Sequence, residues 1–410
     1  TRRISSAASD VYKRQDIEGK VPNSVRRLTF GRDFNRDIEG KLPTSLRTLK
    51  LGSDFNKNID RLPEELRYLS LGLRFNREIN GKLPKYLVNL EIDGDFDKNI
   101  DNLPKTLKSL DISGMFNQPI NKLPRGLKIL KLNGNFNQPM DNLPETLEEL
   151  MLEDCDFNQP IDNLPQTLKK LRISGEFNQK VDNLPEKLRT LAISCDCFDQ
   201  EIDKLPEYLE ILEIKSQIFE NKFDILPSGL KELDISVNRY GDKDHPADFG
   251  ELPRSLRVLI INAYYFNGIM DQLPECLHTL GICNDNFNQK IDNLPESLRE
   301  LTIYAKYFNQ SVNKLPKLLQ ELEIHADCFS RNVDNLPKSL RKLEIKGECF
   351  CREVTNLPQN LKILKIYAKF FNTALKMLPK SLRTLKLKSM HFNQKLNELP
   401  GLLHTLKIKS

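Results

Sequence analysis

Tryptophan is absent from this chain of 410 residues, and histidine occurs only five times. No segment approaches the run of about 18 apolar residues that a membrane-spanning helix requires, so we predict no membrane partner. The motifs G-x-x-x-x-G-K-[ST], G-x-G-x-x-G and G-x-S-x-G are also missing, and with them the usual signatures of phosphate binding, dinucleotide binding and serine hydrolysis. We therefore predict a protein without catalytic residues or cofactors.

Net charge is also small. The chain has 62 basic and 57 acidic residues, which leaves a formal charge of +5. Spread over this length, the excess is too small to indicate a nucleic-acid partner. Hydrophobic residues make up 39% of the chain, enough to build a buried core.

Proline, in contrast, is regularly placed. A Leu-Pro pair, or Val21-Pro22 in one case, occurs 19 times, at intervals of 20 or 21 residues with one exception. A fixed period of this size indicates a solenoid built from stacked repeats. The repeat reads F-N-x-x-I-x-x-L-P-x-x-L-x-x-L-x-[IL], as in residues 116–132.

The end of each repeat alternates apolar and polar residues, as in Leu130-Lys131-Leu132, which predicts a short strand with one buried face. Successive strands would stack as a parallel sheet on one face of the solenoid. Proline cannot donate a ladder hydrogen bond, so the Leu-Pro segment must lie on the other face, in extended or short 3₁₀ pieces. We expect few or no α-helices.

Two further columns are predicted to be structural. The phenylalanine that opens each repeat, from Phe34 to Phe392, would form a stacked spine in the core. The asparagine that follows it would satisfy backbone groups at a turn, and a ladder of such amides would join neighbouring coils.

The L-P-x-x-L-x-x-L-x-[IL] pattern resembles the core of short leucine-rich repeats, and the block F-N-Q-P-I-D-N-L-P at residues 157–165 resembles the FNIP repeat, known from social amoebae and giant DNA viruses. The resemblance extends over about residues 16–410 and implies a leucine-rich-repeat-like solenoid. In such families the repeats often follow an F-box and hold a target for a ubiquitin ligase. No such segment precedes Asp16.

We predict a non-repeat tail at 1–15 and one array of about 19 repeats at 16–410. Neither end shows a polar cap, which suggests a fragment of a longer product or a neighbour at the end. The array has an insertion at 237–248, where one Leu-Pro interval lengthens to 26 residues. This candidate loop either binds a cation or is a neutral surface insertion. Its candidate residues are Tyr240, Asp242, Asp244, His245 and Asp248.

Other metal sites are not favoured. An aspartate column that includes Asp60, Asp101 and Asp141 could bind calcium, but turn residues that hold their own backbone are the simpler interpretation. The eight cysteines do not recur once per repeat. Free thiols in a reducing, cytoplasmic compartment are the simpler interpretation, with a Cys328–Cys349 disulfide as the alternative.

The outward positions of the sheet vary from repeat to repeat and form the candidate partner-binding surface. They are acidic in the middle of the array, at Glu213, Glu232, Asp234, Glu300, Glu321, Glu323 and Glu344, and basic near its end. The candidate residues are Tyr304, Lys342, Lys346, Lys365, Tyr367, Lys386 and Lys388. We predict a non-enzymatic scaffold that binds a protein. The alternative is a structural or self-associating repeat protein without a specific ligand, in which the ends of two copies could pair.

Overall fold

Alternating apolar and polar residues predict one strand per repeat, and a computed structural model contains these strands. It describes residues 21–220, 223, 225–237, 251–264, 266–268, 270–396 and 399–409. The chain divides into two compact units, Thr1–Gln200 and Glu201–Ser410. The predicted tail at 1–15 lies outside the described residues, and so do the candidate insertion residues Tyr240, Asp242, Asp244, His245 and Asp248.

The described part of the first unit contains nine strands. They are β1 (Arg27–Thr29), β2 (Thr48–Lys50), β3 (Tyr68–Leu71), β4 (Asn89–Ile92), β5 (Ser109–Ile112), β6 (Ile129–Leu132), β7 (Glu149–Cys155), β8 (Lys170–Gly175) and β9 (Thr190–Ser194). Each strand pairs in parallel with the next, and the leucine of one repeat lies opposite the leucine of its neighbour, as in Leu110↔Leu130.

The described part of the second unit contains ten strands. They are β10 (Ile211–Ser216), β11 (Glu232–Val237), β12 (Val258–Ala263), β13 (Thr279–Cys283), β14 (Glu300–Tyr304), β15 (Glu321–His325), β16 (Lys342–Gly347), β17 (Ile363–Ala368), β18 (Thr384–Lys388) and β19 (Thr405–Lys409). They also pair in parallel and in register, so that Leu322, Leu343 and Leu364 form one column.

The Leu-Pro pair marks a turn on the face opposite the sheet. In repeat after repeat the proline carbonyl accepts a hydrogen bond from the backbone N–H three residues later, as Pro124 does from Leu127 at 3.0 Å. Turns and extended segments connect the strands, and neither α-helix nor regular 3₁₀-helix occurs in the described residues. The prediction of a mainly β, leucine-rich-repeat-like solenoid is thus confirmed. No helix in the same residues is long and apolar enough to cross a bilayer.

The phenylalanine column forms the predicted spine within each unit. In the first unit the rings from Phe34 to Phe198 stack at centroid distances of 6.0–6.2 Å. In the second, the rings from Phe266 to Phe392 stack at 5.9–6.2 Å. Most of these rings are fully buried. Each contributes about 1.5–3 kcal/mol through burial, so this column holds neighbouring coils together.

Two hydrogen-bond ladders run beside the spine. The predicted asparagine ladder is present: Oδ1 of Asn137 accepts from the backbone N–H of Asn158 and from Nε2 of Gln159, both at 3.0 Å. A second ladder was not predicted. Where a serine or threonine precedes the turn leucine, its hydroxyl donates to carbonyls of the preceding coil, as Thr146 Oγ1 does to Arg125 and Leu127. Both ladders satisfy backbone groups that the bends leave free.

Candidate functional site

The outward side chains of the second unit form columns because the strands are in register. The column between the two buried positions runs from Glu213 on β10 to Lys407 on β19. Its members are Glu213, Asp234, Ile260, Gly281, Thr302, Glu323, Glu344, Lys365, Lys386 and Lys407. Its charge therefore changes from negative to positive between β16 and β17, where Lys365 Nζ lies 2.7 Å from Glu344 Oε2.

The structure divides the candidate partner-binding residues into two groups. Lys342 and Lys365 are held by acidic neighbours: Nζ of Lys342 lies 2.5 Å from Glu323 Oε1, and Lys365 contacts Glu344. Tyr304 also faces this acidic group. Lys346, Tyr367, Lys386 and Lys388 lie further along the same sheet face. That these residues bind a partner stays a prediction.

Five lysines form what we call the open lysine patch. They are Lys346 on β16, Lys386 and Lys388 on β18, and Lys407 and Lys409 on β19. No ion pair among the described residues involves any of them. Adjacent strands lie about 4.8 Å apart, and two like charges about 5 Å apart repel by about 0.8 kcal/mol even in bulk water. The lysines of β18 and β19 are paired in register, and Lys346 lies two strands away, beyond Tyr367.

A second group, the Glu323–His325–Glu344 cluster, lies on β15 and β16. One ligand atom from each of the three side chains lies within 4.8 Å of the others. The side chains of His325 and Glu344 are only 17% and 11% exposed. The ring of Tyr304 meets His325 edge to face at a centroid distance of 4.3 Å. The cluster is thus a compact, half-buried set of nitrogen and oxygen atoms.

Burial lowers the pKa of His325; the nearby Glu344 acts in the opposite direction and Lys346 reinforces the decrease. Burial is the largest single influence on the pKa of Glu323 and acts to raise it, but the hydrogen bond and charge of Lys342, together with His325 and Tyr304, outweigh burial, so this pKa is lowered. The pKa of Lys342 is raised mainly by the same hydrogen bond. The imidazole is therefore favoured in its neutral form, beside the ionised carboxylate of Glu323.

Sequence reasoning placed Glu323 and Glu344 in the acidic middle of the face but did not bring His325 to them. The signal was present: Glu344 follows Glu323 by 21 residues, one repeat, and His325 is two positions after Glu323 on the same strand face. Finding the cluster required the strand register, which pairs Glu323 with Glu344 and His325 with Lys346.

The other candidate metal ligands have structural contacts. In the aspartate column, Asp101 pairs with Lys122 at 2.8 Å and Asp141 accepts from Asn163 Nδ2 at 3.1 Å. All eight cysteines are free thiols, Cys328 and Cys349 included. Burial raises the pKa of Cys155 to about 11 and that of Cys195 to about 12. These two thiols therefore stay protonated at neutral pH and are poor nucleophiles.

The first unit of the chain matches the model of a known repeat family. The family model described as FNIP Repeat matches residues 15–54, 34–74, 75–114, 116–155 and 157–196. No curated protein sequence matches the chain.

Solved leucine-rich-repeat (LRR) structures are similar to the chain. One is CroV588, described as a novel circular LRR protein, with 26% identity, a TM-score of 0.58, and coverage of 96% of this chain and 77% of that one. YopM from Yersinia enterocolitica WA-314 has 22% identity, a TM-score of 0.57 and coverage of 98% and 89%. The LRR protein LIC12759 from Leptospira interrogans has 20% identity, a TM-score of 0.53 and coverage of 84% and 97%.

The fold and these similarities define a repeat solenoid of the leucine-rich-repeat type. Within its first unit, the five stretches between residues 15 and 196 match the FNIP Repeat model. Solenoids of both kinds are generally non-enzymatic scaffolds for interactions, and LRR-like solenoids commonly bind proteins.

Proposed function

We propose that the chain is a non-enzymatic interaction scaffold and that the open lysine patch binds an acidic segment of a protein partner. The observation that carries the proposal is the set of five outward lysines with no ion pair among the described residues, next to lysines that do have acidic partners. An extended acidic segment would place carboxylates against these ammonium groups. Tyr367, between Lys346 and Lys388 in the register, would supply an aromatic anchor at the centre.

The direct test is the binding of a fluorescent deca-glutamate peptide, followed by anisotropy. We expect salt-sensitive binding, because exposed charges are screened by ions. The variant K386E/K388E/K407E should weaken it at least about tenfold, since each charge contact at about 4 Å is worth about 1 kcal/mol in water. Lys365 is left unchanged because its replacement would also remove the ion pair of Glu344.

The matched control is K290E/K338E/K380E, which makes the same change of charge at exposed lysines that lie outside the strands. Equal losses in the two triple variants would show a general charge effect and would contradict the patch. A single-stranded oligonucleotide serves as a second probe. If it bound the wild type tightly through the patch while the peptide did not, the partner would be a nucleic acid and the proposal would be wrong.

A narrower hypothesis makes the array the substrate-recognition arm of a cytoplasmic F-box-type ubiquitin-ligase adaptor. Its support is the resemblance of the repeats alone. Co-purification of the full-length protein with a ubiquitin-ligase scaffold would support it, and a full-length protein without an F-box would contradict it.

The second candidate function is self-association. In β18 the core positions Leu385 and Leu387 are 0% and 2% exposed, whereas the equivalent Leu406 and Ile408 of β19 are 44% and 42% exposed. A second copy packed on β19 would bury these side chains and pair the strand edge.

A further inference from the structure

The starting observation is a buried nitrogen without a hydrogen bond. Nε2 of His325 is inaccessible to solvent and makes no hydrogen bond with any residue that the structure describes. Glu344 Oε1 lies 3.4 Å away, but the two atoms do not form a hydrogen bond. A buried polar atom left unsatisfied costs about 1–3 kcal/mol, so this nitrogen calls for a ligand that the protein itself does not provide.

Each of the two carboxylates beside it has one oxygen in contact with a lysine. Lys342 contacts Oε1 of Glu323, and Lys365 contacts Oε2 of Glu344. The other oxygens have different neighbours: Glu344 Oε1 lies 3.4 Å from His325 Nε2, and Glu323 Oε2 accepts a hydrogen bond from the Tyr304 hydroxyl at 3.4 Å. Carboxylates that ligate a metal are typically held by hydrogen bonds from outside the coordination shell, and the two lysines are placed to do this.

We propose that Glu323, His325 and Glu344 bind one Zn²⁺ ion on the sheet face of the second unit. The imidazole supplies a nitrogen ligand and each carboxylate one oxygen. This is a ligand set that zinc accepts. Three protein ligands leave the fourth position of a tetrahedral ion for water or for a group from a partner.

The geometry is close to what such an ion needs. Around a tetrahedral Zn²⁺ with bonds of about 2.0–2.1 Å, ligand atoms lie about 3.3 Å apart. The candidate ligand atoms lie within 4.8 Å of one another, so small rotations of the two glutamate side chains would bring all three atoms to bonding distance of one ion. Because Glu323 and His325 are on β15 and Glu344 is on β16, the ion would join two adjacent repeats.

The test uses the full chain and zinc alone, with no partner present. The exposed cysteines Cys276, Cys349 and Cys351 are first replaced by serine, because thiolates bind zinc. Isothermal titration calorimetry should show one saturable Zn²⁺ site in this background. H325A should abolish that site and E344Q should weaken it. The absorption of the Co²⁺ form should indicate nitrogen and oxygen ligands.

Two histidine variants serve as matched controls. H404A removes an exposed histidine far from the cluster along the repeats, and H245A removes the histidine of the candidate insertion loop; both should retain the site. If H325A bound zinc as well as its parent, or if zinc bound only when His245 was present, the proposal would be overturned. Circular dichroism checks the fold, and E323Q, which keeps the side-chain shape, decides the question if H325A does not fold. Absence of saturable binding in the parent would also refute the site.

Discussion

At the scale of single residues, the stack of coils places equivalent positions close enough to change their chemistry. Lys128, Glu148 and Lys169 occupy the same position in three successive repeats. Both lysines lie 2.7 Å from the carboxylate, one at each oxygen. Their hydrogen bonds, first that of Lys128, lower the pKa of Glu148 to about 2 although the side chain is in contact with solvent. The acidic residue between two lysines in this stacked position is therefore held in its ionised form by both neighbours.

We expect a carboxyl-selective NMR titration to give Glu148 a pKa of about 2. K128M and K169M should each move this pKa back towards 4.5, the usual value. Because the folded pKa is below the unfolded one, the contribution to stability is complete above about pH 4.5 and is lost as the pH falls towards 2. K180M, which removes a lysine that does not contact Glu148, is the control. A pKa unchanged in both K128M and K169M would contradict the stacked geometry.

At the scale of the repeat, close backbone approach fixes residue choice after the strand. Gly94, Gly114 and Gly134 have φ angles of 77°, 95° and 82°. A Cβ on Gly114 would lie 2.2 Å from the carbonyl oxygen of Gly94, and that oxygen accepts a hydrogen bond from the N–H of Met115. A side chain at this position would therefore be strained and would force the two coils apart.

G114A should destabilise the protein by about 1–3 kcal/mol, the range for a strained backbone position, as measured by the shift of the denaturation midpoint followed by circular dichroism. G281A is the matched control. Gly281 lies inside β13, and its added Cβ would meet only Ile260 side-chain atoms at 3.6–3.9 Å. This variant should be neutral or stabilised by up to about 1 kcal/mol. Similar midpoints for G114A and the wild type would show that the coils can separate without cost.

The repeat is also the scale at which sequence prediction succeeds and fails. The repeat period and the alternation of apolar and polar residues are enough to predict the strands, the Phe34–Phe392 column and the asparagine ladder. Each of these features depends only on a residue's position within one repeat. The serine and threonine ladder was missed although Thr106, Thr146 and Thr167 recur before the turn leucine, since short hydroxyl residues at a turn have many other uses. The Glu323–His325–Glu344 cluster depends on side chains from two coils. The open lysines differ from Lys342 in having no ion pair with an acidic residue that the structure describes. Neither property is visible in a single repeat.

At the scale of the whole molecule, net charge opposes self-association and exposed apolar surface favours it. The net charge of +5 is modest, so overall repulsion opposes association only weakly. The apolar columns that are buried in β18 are exposed in β19, and Leu402 nearby is 55% exposed. Burying apolar surface gains about 25 cal/mol per Å², and a second copy placed against β19 would obtain this gain twice if the contact were symmetric.

Self-association through β19 predicts that the sedimentation coefficient rises with protein concentration and that L406K/I408K keeps the chain monomeric. The lysines would put charge into the contact, where it would lose its hydration without gaining a partner. The matched control is I225K/L318K, which changes two exposed apolar residues of the same unit that lie outside its strands and should sediment like the wild type. To separate this contact from the Glu323–His325–Glu344 cluster, the wild type and H325A are both sedimented with saturating zinc. An association through β19 should persist in H325A. A wild-type chain that stays monomeric at every concentration would rule the contact out and leave the open lysine patch as the remaining candidate interface.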